Sequence, residues 1–342
     1  MLLVLAFHCR VPGFSAGYLG VDLFFVLSGF LITQLLLESV ETSGRIDVRQ
    51  FYLRRFLRLG PPLLLLLLFY VAVAPIAWPQ FSRGQHLQDA TLVGLYLSDY
   101  MIAFWKIPKA LEHSWSLSVE EHFYLIWPLA VLLLARCNVQ RRIGLLFGLF
   151  LLATAWRVFE SYHAGWVATY YRFDTRISGL ILGALLAACL RDAPKISERT
   201  ANLIGGAAYL ALTGCLAVGY WRASWSLAWL TTLTEMAAAG FVIAASSPKS
   251  RVHSILSVPP LVGLGVMSYG FYLWHFPIAV YFREWLPWPE ATAITAILAI
   301  AAASMSYLTI ERPLQRYRRS LGTHRNDVMT SDFHTAAMDG RV

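Results

Sequence analysis

The chain has 342 residues, 57% of them hydrophobic and 14% charged, and its mean hydropathy is +0.55. A water-soluble protein of this length needs a larger polar surface over its core, so composition excludes a soluble enzyme and points to a polytopic helical membrane protein. The net charge of +8 is no argument for nucleic acid in such a chain, because Lys and Arg there mark the loops kept on the cytoplasmic side.

In chain order, apolar segments recur at 1–8, 18–38, 61–79, 115–135, 143–159, 173–190, 203–221, 226–246, 261–282 and 291–310. At ~1.5 Å rise per residue this predicts an all-α transmembrane bundle of about ten spans. The segment 90–105 is expected to be re-entrant or interfacial, since a full crossing would put Arg136, Arg141 and Arg142 opposite Arg54, Arg55 and Arg58. With the N-terminus inside, the cytoplasmic loops then hold those six arginines with Arg45, Arg49, Arg191, Lys195, Arg199, Lys249 and Arg251, and a tail cluster of Arg312, Arg316, Arg318, Arg319 and Arg325.

This division makes residues 1–319 one integral membrane domain with both termini cytoplasmic, and 320–342 a polar tail expected to be disordered. Cys9, Cys137, Cys189 and Cys215 have no CxxC spacing and read as packing residues, and no metal site is expected. The first apolar run is short for a span. It lacks the basic flank and small-residue cleavage site of a signal peptide, so the expectation is a misassigned start or a truncated first helix.

Polar groups inside spans are the site candidates, because a charge at bilayer depth is costly unless it faces a cavity or a partner. Trp115-Ser-Leu-Ser-Val-Glu120-Glu121-His122 leads directly into an apolar run. Adjacent carboxylates point ~100° apart on a helix, so at least one of Glu120 and Glu121 enters the bundle. His8, Asp22, Glu120 with Glu121, and His275, the last ~21 Å above the inner face at helical rise, are all expected in the outer half of the bilayer. Taken alone, His8 also fits a simple interhelical hydrogen bond, and His275 an interfacial aromatic belt kinked by Pro277.

Arg55 and Arg58 share a helix face at spacing i, i+3 near the inner interface. They suit either bidentate grip on the phosphates of a nucleotide-like donor or a simple topology and headgroup role. A histidine and a carboxylate in a dry pocket, with arginines on the other side, suit acyl transfer: His8 takes the proton of a weakly nucleophilic hydroxyl, and Glu120 orients it or positions substrate.

Five blocks in this order are distinctive: His8, Gly20-Val-Asp-Leu-Phe-Phe-Val-Leu-Ser-Gly-Phe-Leu-Ile-Thr33, Phe51-Tyr-Leu-Arg-Arg-Phe-Leu-Arg58, Trp115-Ser-Leu-Ser-Val-Glu-Glu-His-Phe-Tyr124 and Tyr272-Leu-Trp-His275. Over nearly its whole length the chain resembles the acyltransferase 3 family of bacterial integral membrane acyltransferases, which includes glycan O-acetyltransferases. The resemblance implies transfer of an acyl group, often acetyl, from cytoplasmic acyl-CoA as co-substrate, with no tightly bound cofactor, to a hydroxyl of a glycan or lipid-linked saccharide at or beyond the membrane. By similarity His8 is the catalytic histidine, Arg55 and Arg58 are the pair at the CoA phosphates, and Glu120 is the glutamate of the tryptophan-serine-leucine motif. Asp22, Trp115, Ser116, Glu121, Tyr272 and His275 are the expected substrate-binding residues.

Two departures accompany it. An arginine that the family carries about eleven residues before the histidine would precede Met1, and the acidic residue often found after Thr-Arg stands here as Ser178. A transporter or flippase is the competing class, but it predicts paired broken helices or internal repeats, and the two halves show none. A catalytically inactive, truncated homologue is the remaining alternative.

Overall fold

The computed structural model describes residues 1–320 apart from 192, 194 and 195, and the side chains of 317–320 are also outside the description. Lys195, the side chains of Arg318 and Arg319, Arg325 and the tail expected to be disordered therefore lie outside the described residues, except for Ser320 at its start. Among the described residues every regular element of the chain is a helix and no strand occurs. Its helices are α1 (Leu2–His8), α2 (Gly20–Ser43), α3 (Val48–Ala77), α4 (Arg83–Gly94), α5 (Ser98–Trp105), α6 (Trp115–Ala135), α7 (Val139–His163) and α8 (Trp166–Tyr171). They continue as α9 (Phe173–Leu190), α10 (Glu198–Val218), α11 (Thr231–Ala245), α12 (Arg251–Leu256), α13 (Pro259–Val266), α14 (Ser268–Phe282), α15 (Trp288–Ser306) and α16 (Arg312–Ser320).

Local chemistry starts these helices where the sequence offers a cap. Asp47 accepts from the Gln50 amide at the head of α3, and Asn138 accepts from the Arg141 amide at the head of α7. Ser82 and Gln85 form a reciprocal capping box on α4.

Eight helices among the described residues, counted with the turns that extend them, are long and apolar enough to cross a bilayer. The expected segments 1–8 and 261–282 are not among them. The first is the seven-residue α1. The second is divided at Met267 into α13 and α14, just after Gly263 and Gly265, which lower helix propensity there. The segment 90–105 is no single helix either: α4 ends at Gly94, the chain turns through Leu95–Leu97, and α5 restarts at Ser98. Outward leucines such as Leu64, Leu68, Leu125, Leu129, Leu133 and Leu152 are exposed along the spanning helices, an apolar face suited to lipid tails.

The tightest helix pair is α2 with α9, and two glycines allow it. A Cβ on Gly29 would sit 1.9 Å from the Leu180 carbonyl oxygen, and one on Gly183 would sit 2.0 Å from that of Val26. Small residues at such crossings let backbones touch, which is how helices associate where lipid removes the hydrophobic driving force. The same region buries a polar network. Arg157 on α7 pairs with Glu235 on α11 at 2.9 Å, and Arg176 on α9 pairs with Asp22 on α2 at 2.6 Å. Ser178 donates to Glu235 at 2.6 Å and also meets Arg157. Where the resemblance expects an acidic residue after Thr-Arg, the carboxylate beside Ser178 thus comes from α11.

Candidate active site

Two helix faces build the site. On α6 and the short 3₁₀ turn before it, His113, Ser116 and Glu120 succeed one another about every turn. On α14, Tyr269, Tyr272 and His275 do the same. His113 to Glu120 is two turns, or ~10 Å of axial rise, so one wall joins two polar clusters.

The upper cluster is made of imidazoles. His8, at the end of α1, has its Nδ1 3.0 Å from His275 Nε2, and His275 Nδ1 lies 2.7 Å from the Tyr272 carbonyl oxygen. A carbonyl only accepts, so His275 Nδ1 carries a proton. In the neutral ring its Nε2 is then an acceptor, His8 Nδ1 donates to it, and His8 Nε2 is left with a free lone pair. The guanidinium of Arg283 donates to the His8 carbonyl at 3.0 Å and holds the end of α1 in place. His275 is fully buried and His8 half-buried, so of the pair it is His8 that incoming groups can reach.

Tyr272 and Ser116, expected to bind substrate, are turned on each other. Their hydroxyls are 2.5 Å apart, and the Tyr272 hydroxyl also donates to the His113 carbonyl at 2.8 Å. This lock fixes α14 against the start of α6, and through the Tyr272 carbonyl it sets the His275 tautomer.

The lower cluster surrounds Arg55. Its guanidinium lies 3.2 Å over the Tyr124 ring, the Tyr124 hydroxyl meets Ser28, and the Glu120 carboxylate is hydrogen-bonded with Tyr124 and Ser28 and faces Arg55 and Arg58. Glu121 faces Arg55 and His122. Arg58 is exposed, with Glu120 and Glu311 as its nearby acids.

The Arg55 guanidinium meets the middle of α6. Tyr124 and Ser28 lie well inside α6 and α2, and Phe51–Arg58 is the first part of a continuous 30-residue helix that runs into the bundle. Cation–π contact and facing carboxylates offset the charge there. The side chain that His8 meets is His275 and not Glu120, which stands two turns along α6 from His113, facing the arginines.

Asp22 and Trp115 belong to neither cluster. Asp22 is engaged by Arg176, and the Trp115 ring is 5.5 Å from that guanidinium and 4.7 Å from Tyr170. Sequence reasoning passed over His113, Tyr124, Glu235 and Glu311. A signal existed for Glu235, a lone carboxylate within the apolar run of α11, by the argument that singled out Glu120. Tyr124 and His113 carried none, because each acquires its place only from contacts between helices.

Comparison with known proteins bears on what this wall serves. Residues 1–310 match the family described as an acyltransferase domain. The chain is 30% identical over 340 residues to the peptidoglycan O-acetyltransferase OatA of Listeria monocytogenes, covering 92% of this chain and 54% of that protein. It is 30% identical over 332 residues to the O-acetyltransferase OatA of Staphylococcus aureus strain NCTC 8325, covering 92% and 55%. A putative O-acetyltransferase of S. aureus strain COL is 28% identical over 338 residues, covering 92% and 55%. The chain thus spans about half the length of the curated relatives it matches, and no solved structure matches it. With a family match over residues 1–310 laid on an all-helical membrane bundle, the chain belongs to the acyltransferase 3 family.

Proposed function

We propose that this chain is a membrane O-acyltransferase that moves an acyl group, acetyl by analogy with the names of its relatives, from acyl-CoA to a hydroxyl of a cell-envelope glycan. The observation that carries the reading is the His8–His275–Tyr272 chain of hydrogen bonds, which leaves a free lone pair on His8 Nε2, while Glu120, two turns along α6 from His113, faces Arg55 and Arg58 of α3. In the bacterial plasma membrane the basic ends of α3 and α7 face the cytoplasm, and His8, His113 and His275 lie toward the other side.

The steps follow from the groups present. Arg58, exposed and flanked by Arg55, Glu120 and Glu311, offers bidentate donors to the donor's phosphates, while Arg55 is held on Tyr124 beside Glu120. The thioester then extends along the wall of Ser116, Tyr272 and Glu120 toward the imidazoles. His8 Nε2 takes the acceptor hydroxyl's proton as its oxygen attacks the thioester carbonyl, the C–S bond breaks, and the thiolate leaves and receives that proton from His8. His275 keeps the proton on His8 Nδ1 throughout, the role of a positioning base partner.

The test is to incubate the protein in detergent or vesicles with acetyl-CoA and peptidoglycan-derived GlcNAc–MurNAc oligosaccharides, reading CoA release by a thiol reagent and acetylation by mass spectrometry. Release of thiol matched by a glycan gaining one acetyl supports the reading. An intact thioester with the compound moved across the vesicle membrane would instead establish a carrier.

A further inference from the structure

Deepening that reading, and resting on it, we infer that His113 is a substrate-contacting residue whose Nδ1 accepts a hydrogen bond from a second hydroxyl of the glycan acceptor. The ring of His113 is restrained on three sides. Its Nε2 lies 3.2 Å from the Leu273 carbonyl oxygen, its face stacks on Phe276 at 4.7 Å and 20°, and its own carbonyl is gripped by the Tyr272 hydroxyl. His113 is 3% exposed, yet its Nδ1 is buried without any hydrogen-bond partner. Native structures leave few such groups, and an orphaned buried acceptor is costly enough to call for a partner.

The chemistry of that partner is narrowly set. Leu273's carbonyl only accepts, so Nε2 carries the proton and Nδ1 of the neutral ring can only accept. It therefore takes an O–H or N–H donor and cannot stabilise an oxyanion. The place is set as well: the Phe276 ring that stacks on His113 meets His8 edge-on at 4.8 Å, and His275 is 5.8 Å from His113 and 5.2 Å from His8 between ring centroids. The His8 and His113 rings, each with one nitrogen left unpaired, thus both pack on Phe276. A compound with one reacting hydroxyl and a neighbouring one satisfies both, and the two-point grip selects polyols over simple alcohols.

Two substitutions separate contact from structure. In His113→Gln the side-chain amide nitrogen stands where Nε2 stood and keeps a donor for Leu273, but the acceptor at Nδ1 is gone. In His113→Asn the carboxamide oxygen stands near Nδ1 and the Leu273 bond is lost. With acetyl-CoA and GlcNAc–MurNAc oligosaccharides, His113→Gln is expected to lower kcat/KM for the oligosaccharide about tenfold or more with the KM for acetyl-CoA unchanged, and His113→Asn to retain transfer within a few-fold despite a lower thermal midpoint. Losses that track stability in both variants, a loss that falls on the acetyl-CoA KM, or no loss in His113→Gln would each overturn the assignment. An inactive wild type would count against the acyltransferase reading instead. Direct titration of the oligosaccharide still reads His113 then, with binding about tenfold weaker in His113→Gln if the assignment holds and equal if it does not.

Discussion

His8 Nδ1 and His275 Nε2 meet at 3.0 Å although the residues stand 267 positions apart. This one contact joins the end of α1 to the middle of α14 and decides which nitrogen of His8 keeps a free lone pair for the proposed proton transfer. If the contact matters through the tautomer, His8 and His275 differ in what their loss does. His8→Ala removes the base and is expected to lower kcat by about 10²–10⁴. His275→Ala leaves the base but not its orientation, so a smaller fall in kcat with an unchanged KM for acyl-CoA is expected in steady-state kinetics.

Arg58 is exposed beside Glu120 and Glu311. Arg58→Ala should raise the KM for acyl-CoA about tenfold or more while kcat falls less, and Arg58→Lys should recover only part, since an ammonium lacks the guanidinium's paired donors. A defect confined to the acceptor's KM would remove Arg58 from the donor site.

The Arg157–Glu235 pair is fully buried. Removing one partner strands a charge, so Arg157→Ala is expected to destabilise by about 3–5 kcal/mol, whereas Arg157→Met combined with Glu235→Leu should cost much less. Thermal unfolding of the detergent-purified protein measures both.

At Gly183 the backbone of α2 leaves no room for a Cβ, while at Gly148 on α7 a Cβ would meet nothing within 4 Å. Gly183→Ala should therefore reduce folded yield in fluorescence-detected size exclusion. Gly148→Ala should keep or slightly raise it, by up to about 1 kcal/mol of helix propensity.

Topology is open to a direct check. Asn138 caps α7 at the end of the bundle that holds the basic loops, and Arg283 follows α14 at the end that holds the imidazoles. Reporter fusions at the two positions are expected to report opposite sides of the membrane, and the same side would undo the orientation.

The spans could be read from the sequence because apolar length is a local property: eight helices stand where runs of sufficient length stand. The break at Met267 was hidden inside one apolar run, since hydropathy does not distinguish a helix from two short helices in series. His8, His275, Arg55, Arg58 and Glu120 were each visible as polar groups in apolar surroundings. Their grouping was not, because pairing is a matter of which helix faces meet. Glu120 was expected with His8 on grounds of depth, yet the side chain at its level on α3 is Arg55, and that charge decided its neighbours. His113 sits before the apolar run begins, so nothing local marked it.

Vesicles oriented with the basic loops outward and loaded with GlcNAc–MurNAc oligosaccharide give the most direct measurement of the central claim, that one wall carries an acyl group from the guanidiniums to His8. Acetyl-CoA labelled in its acetyl group, added outside, should leave CoA outside and label on the enclosed oligosaccharide, and His8→Ala vesicles should leave the oligosaccharide unlabelled. Label reaching the interior as intact acetyl-CoA, or labelled oligosaccharide formed equally well by His8→Ala, would contradict it.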